Sequence, residues 1–369
     1  MADIEIGGAK RARRGYSFDE VAIAPSRRTR DTELVSTAWR IDAYTFDSPL
    51  IAAPMDSIVS PASAIELARQ GVLPVLNLEG LWSRYDDPEP LLIEIAGLDP
   101  DEVTPRLQEI YARPINHELV AARIGDMKAA GITVAVAASP QATAELAPMA
   151  AKAGADLVVI RGTTVSAEHV SGEGSPLNLK QFIYELDVPV IVGGCATYQA
   201  ALHLMRTGAA GVLVGFGGGA SLTTSDVLGV RVPMASAVAD VAAARRDYLD
   251  ESGGRYVHVI ADGSMSRSGD IVKAFACGAD AAMLGTVLAR ATDAPGRGTH
   301  WGPEAWHPHL PRGSRNVIGA VGTFREVLHG PSNRSDGSMN VVGALRKAMA
   351  TTGYSDMKEF QRVEVVVTS

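Results

Sequence analysis

Apolar residues along this chain come in short runs, each closed by Gly, Pro or Asn and separated by longer stretches with helix-like spacing. The runs are Pro49 to Met55, Leu73 to Asn77, Thr133 to Ala138, Leu157 to Arg161, Val188 to Gly193, Gly211 to Val214, Val257 to Asp262 and Ala281 to Leu284. Most carry Val, Ile, Leu or Ala at successive positions instead of alternating with polar residues. Strands read that way when both faces are buried, as in a parallel sheet covered by helices. Thr197 is placed to cap the helix that starts at Tyr198, and Gly208 to close it. Gly278 closes the helix running from Ile271 to Cys277 in the same way. A Gly-Ala-Asp step between helix and strand occurs at Gly154-Ala155-Asp156 and at Gly278-Ala279-Asp280, with Gly208-Ala209-Ala210 as a degenerate third copy. Glycine there supplies the left-handed residue that ends a helix.

Eight such strand–helix units predict an α/β fold, a closed (β/α)8 TIM barrel in one domain. A doubly wound open sheet is the alternative, weakened because the first helical loop lacks G-x-G-x-x-G. Residues 81–132 form a short excursion after the second strand. Residues 294–337 are rich in Gly, Pro, Arg and His with weak periodicity, which reads as a lid or a partly disordered surface.

Composition narrows the function. With 369 residues and 46% hydrophobic content the chain has ample material for a large core. A net charge of −8 argues against a nucleic-acid binder, whose footprint is basic. Cys195 and Cys277 offer neither a disulfide framework nor a clustered metal pattern, so a reducing, cytoplasmic setting is expected. No apolar run follows the first charges, and no long apolar stretch predicts a membrane span. Lys10, Arg11, Arg13 and Arg14 read as a solvated arm, with a phosphate or partner contact as the alternative.

In a barrel, reactive groups sit at the strand C-termini and phosphates often bind after the seventh and eighth strands. Asp262 stands at one such tip, where a carboxylate accepts hydrogen bonds from a sugar diol; the alternative is a turn or helix cap. Gly263-Ser264 and Gly285-Thr286 offer backbone and hydroxyl donors to an anion. Gly217-Gly218-Gly219 permits close backbone approach to a ligand, or is a flexible turn. His258 lies within a strand and reads as core. His300, His307 and His309 fall in the lid-like segment without metal-ligand spacing. Glu326 reads as a solvated helix carboxylate, with an acid/base role as the alternative.

Several of these stretches, together and in order, resemble the IMP dehydrogenase/GMP reductase family. They are Tyr16-Ser17-Phe18-Asp19-Glu20-Val21, Ala53-Pro54-Met55-Asp56-Ser57, the loop from Gly215 to Thr224, the run from Asp262 to Asp270, and Met283-Leu284-Gly285-Thr286. The resemblance spans nearly the whole chain and extends to the actinobacterial IMP-dehydrogenase-related proteins that lack regulatory CBS domains. It implies a homotetrameric barrel of purine metabolism that binds a purine 5′-monophosphate, with NAD(P) and K+ as family cofactors. Carried over, Asp262 takes the ribose hydroxyls, and Gly263, Ser264, Gly285 and Thr286 the phosphate. Ser221 lies beside the family's phosphate-binding serine position, and Ala220 fills a small-residue place in that turn. Met55, Val321 and Gly322 address the base. The carbonyls of Gly217, Gly219 and Leu222 are the monovalent-cation ligands.

The departures concern the chemistry. The family's dehydrogenases attack the base with a cysteine thiolate and pass hydride to NAD. Leu222 stands at that cysteine position and has no lone pair to donate. Loss of a nucleophile costs roughly 10⁶ in rate in a serine hydrolase, about 8 kcal/mol. Thr224 retains the family's water-positioning threonine, but Ser225 follows it in place of the usual arginine. Arg161 stands where the dehydrogenases carry an aspartate near the nicotinamide. Cys195 ends the fifth strand without an evident base or cation, and reads as a buried residue. The sequence thus predicts a nucleotide-binding barrel without the cysteine-dependent oxidation. The alternatives are an NAD(P)-dependent oxidoreductase with altered chemistry, and an assembly protein with a vestigial site.

Overall fold

A computed structural model describes residues 4–170, 176–215, 219 and 221–368. All eight predicted strands form, and every one is parallel to its neighbours. They are β1 (Leu50–Ala52), β2 (Leu73–Asn77), β3 (Ala135–Ala138), β4 (Leu157–Arg161), β5 (Val190–Cys195), β6 (Gly211–Val214), β7 (His258–Asp262) and β8 (Ala281–Leu284). The sheet closes where β8 pairs with β1, Met283 opposite Ile51. Side chains such as Ile51, Val75, Val159, Leu213, Ile260 and Met283 fill the interior, while the other face of each strand meets the helices. Burial on both faces is what the continuous apolar runs encode.

The base of the barrel is plugged by a hairpin, Trp39–Ile41 paired with Tyr44–Phe46. Trp39 and Ile41 pack into the interior, and the Trp39 indole donates to Nδ1 of His258 at 3.3 Å. His258 is therefore a half-buried packing residue at the base, at the opposite end of β7 from Asp262. Burial pushes its pKa down to about 4.

The Gly-Ala-Asp step has a second purpose at this base. Each glycine is left-handed, at φ 107° for Gly154 and 112° for Gly278. The aspartate then bonds the start of the preceding strand region: Asp156 Oδ2 accepts from the Val134 N–H at 2.8 Å, and Asp280 Oδ2 from the Val259 N–H at 2.9 Å. At the degenerate copy the backbone bond survives, from the Ala210 N–H to the Val190 carbonyl, without a carboxylate. Asp280 is the more deeply set of the two acids. Arg245 approaches it at 2.5 Å with side chains 10% and 1% exposed, and Lys358, Tyr256 and Gln361 also donate to it.

The basic arm is solvated, with Lys10, Arg11, Arg13 and Arg14 all exposed, and it has local structure: Ile4–Gly7 and Lys10–Ala12 pair as a hairpin, Arg13 reaches Asp240 at 2.5 Å, and Arg14 lies over the Tyr16 ring. Within residues 81–132, the helix His117–Ala129 packs beside its barrel neighbours Pro61–Arg69 and Thr143–Ala153, so it is the barrel's own. The added material is the pair Glu89–Gly97 and Pro100–Tyr111. Among the described residues, no helix is long and apolar enough to cross a membrane.

Asp280→Asn is expected to lower unfolding free energy by about 3–5 kcal/mol, because it strands a buried guanidinium. Asp156→Asn is expected to cost roughly 1 kcal/mol, since its Lys128 partner is 39% exposed and screened by water. Urea unfolding of the two variants checks the contrast.

Candidate functional site

The C-terminal mouth of the barrel holds a cavity of about 300 Å³. Met55 from the loop after β1 lines it, with Arg161 at the tip of β4 and Gly219, Ser221 and Leu222 after β6. Asp262, Gly263 and Ser264 follow from β7, and Gly285 and Thr286 from β8. The mouth is packed closely where these loops meet. A Cβ on Gly215 would sit 1.8 Å from the Asp262 carbonyl, so only glycine permits the two loops to touch there. Ser264 adopts φ 58°, a left-handed conformation that costs a non-glycine residue on the order of 1 kcal/mol or more. Such strain concentrates at ligand-binding turns.

Asp262 does not cap a helix. Its Oδ2 is bound by Nε of Arg161 at 3.1 Å, with the two side chains 15% and 19% exposed. Burial alone would weaken the Arg161 cation, but Asp262 and then Glu304 outweigh it and raise its pKa. The mouth therefore carries a pre-formed ion pair with one carboxylate oxygen outside it. The helix Ser268–Ala276 is capped instead by Asp270, whose Oδ2 accepts from the Ser266 and Arg267 N–H groups.

Leu222 forms part of the cavity wall. Its loop is held by residues 312–314: Leu222 bridges Gly313, the Thr223 N–H donates to the Arg312 carbonyl, and the Ser314 N–H to that of Ser221. Thr224 is fully buried, with its hydroxyl unpartnered, and does not line the cavity. Val321 and Gly322 are not brought to the cavity either. The Val321 N–H is spent on the Arg290 carbonyl, and the Gly322 carbonyl accepts from Thr292. The Gly219 carbonyl accepts the Leu222 N–H at 3.1 Å, while Gly217 and Ala220 lie outside the described residues. Among the described residues, no group of three or more His, Cys, Asp or Glu could hold a metal.

Neither cysteine lines the cavity. Cys195 is buried off the cavity, with its Sγ 3.4 Å from the Leu213 carbonyl, and burial pushes its pKa up to about 12. Cys277 is likewise raised, to about 11. Glu326 closes a capping box on Thr323, accepting from that residue's N–H and hydroxyl, and is structural.

The segment read as a lid or disordered surface is in good part a packed wall of the site. Thr299–His300 pairs with Asn316–Val317, and Trp301, Ala305, Phe324 and Leu328 are buried. It brings two side chains to the cavity that sequence reasoning did not assign, His300 and Glu304, which are 2% and 6% exposed. His300 had no signal beyond its residue type, because its partners lie far away in sequence. Its Nδ1 is 2.7 Å from Ser221 Oγ, and its Nε2 is 3.4 Å from Thr286 Oγ1. Burial, then Arg290, lowers its pKa to about 4. Oε2 of Glu304 is buried without a partner. Arg231 and Arg267 also line the cavity from its exposed rim.

A chain of hydrogen bonds anchors this wall. The Trp301 indole donates to the Tyr111 hydroxyl at 2.9 Å, and that hydroxyl donates to Asp56 Oδ2 at 2.5 Å. Trp306 stacks on Tyr111 with centroids 4.5 Å apart. Asp56, from the loop after β1, thus ties the wall and the added helices to the barrel. Burial raises its pKa to about 6, against the hydrogen bond from Tyr111 and the nearby Arg84.

Residues 15–318 match the family described as the IMP dehydrogenase / GMP reductase domain. The chain is 53% identical over 372 residues to an uncharacterized oxidoreductase of Mycobacterium tuberculosis strain H37Rv, covering 99% of each. It is also similar to an inosine-5′-monophosphate dehydrogenase of Thermoplasma acidophilum, at 43% identity over 40% of this chain and 28% of that protein. The crystal structure of an IMP dehydrogenase/GMP reductase-like protein from Corynebacterium glutamicum superposes with a TM-score of 0.95 at 50% identity, covering 99% of this chain and 98% of the other.

The Asp56 anchor has a pH signature. An unfolded aspartate ionises near 3.9, whereas the folded one holds its proton to about 6. Its contribution to stability is therefore fully present below pH 4, falls as pH rises through 6, and is constant above. The change amounts to roughly 3 kcal/mol. Asp56→Asn should flatten that component between pH 4 and 7 in urea unfolding; parallel profiles for variant and wild type would contradict the assignment.

Proposed function

Because the chain belongs to the IMP dehydrogenase/GMP reductase family, we propose that it binds a purine 5′-monophosphate at the barrel mouth without the cysteine-dependent oxidation. The observation that carries this reading is one cavity shared by Asp262, the Gly263-Ser264 and Gly285-Thr286 turns, and Leu222. The turns after β7 and β8 receive the phosphate through backbone and hydroxyl donors. Asp262 takes a ribose hydroxyl on the oxygen outside its ion pair, and Arg161 holds the carboxylate in orientation. Met55 lies against the base. Leu222 gives that end an apolar wall where the family's chemistry needs a thiolate, and the Cys195 thiol stays protonated at neutral pH.

The volume supports a mononucleotide, since it lies at the lower end of small-ligand pockets. An oxidised nicotinamide is a poor fit. It carries positive charge, and Arg161 lines the cavity where the family's dehydrogenases place an aspartate. No step is assigned to a nicotinamide or to a monovalent cation. A cytoplasmic homotetramer is part of the proposal on family grounds.

Thermal unfolding with IMP, GMP, XMP and AMP tests the reading. A bound nucleotide at 100 times its dissociation constant should add about 2.7 kcal/mol, and Asp262→Ala should abolish the gain. Wild-type NADH production from IMP should stay at background with and without K+, with Leu222→Cys as the comparison. Turnover by the wild type at an ordinary family rate would overturn the inactivity, and no stabilisation by any purine monophosphate would overturn the binding.

A further inference from the structure

Glu304 sits on the short turn Pro303–Trp306, and its carbonyl accepts the Arg312 N–H at 3.0 Å. The next residue, Gly313, bridges to Leu222, and a Cβ on Gly313 would lie 3.1 Å from the Cβ of Glu304. Glu304 is thereby fixed at the Leu222 end of the cavity, which both residues line. It is 6% exposed, and its Oε2 is buried without a hydrogen-bond partner. Gly302 lines the cavity as well, and a Cβ there would stand 2.8 Å from that same oxygen. Glycine at 302 therefore leaves Oε2 with no side chain over it.

A carboxylate taken out of water without donors is costly, and the cost is relieved only when donors arrive. Arg161 is close enough to feel the Glu304 charge, but its Nε is bonded to Asp262. Among the described residues, nothing donates to Oε2. The complement then has to come from the ligand, as a donor group. Purine bases differ in what they offer. Guanine carries N1–H and a 2-amino group side by side, a parallel pair of donors like the one a guanidinium presents to a carboxylate. Hypoxanthine has N1–H alone. Xanthine sets a carbonyl oxygen beside N1–H, and adenine has an unprotonated N1, so each of these turns a lone pair toward a carboxylate.

We propose that Glu304 selects the base, which makes the cavity a guanine nucleotide site in which N1–H and the 2-amino group donate to its carboxylate. The inference rests on the nucleotide reading of the cavity and narrows it from purine 5′-monophosphates to GMP. It assigns specificity to a residue from the segment in which the sequence showed no family motif.

Calorimetric titration of the full chain with GMP, IMP, XMP, AMP and 1-methyl-GMP tests it. GMP is expected to bind roughly 10- to 100-fold more tightly than IMP, which lacks one charge-assisted hydrogen bond. XMP, AMP and 1-methyl-GMP should fall below IMP, since a site built for donors rejects analogues without them. Glu304→Gln presents one acceptor and one donor, which suits N1–H beside a 2-carbonyl. That variant should lose affinity for GMP by roughly the same 10- to 100-fold and bind XMP more tightly than the wild type does. A merely structural role would not produce this inversion. Should the variant misfold, the ranking by the wild type carries the test alone. Equal affinity of the wild type for GMP and IMP, or an unchanged ranking in the folded variant, overturns this inference and leaves the nucleotide reading intact. Failure of every monophosphate to bind overturns both.

Discussion

Closing a parallel sheet on itself removes both of its edges and buries both of its faces, so only the tips of the strands are left to meet a ligand. Apart from end residues such as Arg161 and Asp262, the side chains of β1 to β8 are mostly spent on packing, inward against each other and outward against helices. Chemistry is confined to the two ends. At one end the Trp39 hairpin and the Asp156 and Asp280 carboxylates seal the base. The other end stays open, and Arg161, Asp262, Ser264, Thr286 and His300 are displayed there. This division follows from the fold and holds whatever the ligand is.

What shapes the open end is the joint around Asp56. A carboxylate out of water is costly unless hydrogen-bonded, and here the Tyr111 hydroxyl provides the bond. Tyr111 belongs to the added helices and Trp301 to the wall, so three separate parts of the chain converge on one buried acid. His300 is the residue before Trp301, and Glu304 lies three beyond it. Their positions at the cavity are thus inherited from packing that begins outside it.

The strands were legible because burial on two faces leaves a continuous apolar signature; only ends differ, as where Pro49 to Met55 narrows to Leu50–Ala52. Helix ends marked by Thr197, Gly154 and Gly278 were legible for the same local reason. The carboxylate bonds of Asp156 and Asp280 were not, since their partners lie 22 and 21 residues earlier. Nor was the pairing of Asp262 with Arg161, 101 residues apart. The wall left no period in the sequence, because irregular backbone there is held by single distant contacts. His300 and Glu304 were missed with it.

The four tryptophans are unevenly distributed. Trp39 closes the base, whereas Trp82, Trp301 and Trp306 gather at the Asp56 joint, the first donating its indole to the Asp56 carbonyl. Intrinsic emission is in consequence weighted three to one toward one seam of the molecule. A probe wavelength chosen for convenience records chiefly when the added helices and the 300s segment part from the barrel, while the sheet, which has no indole among its strands, is heard only through Trp39 at its base.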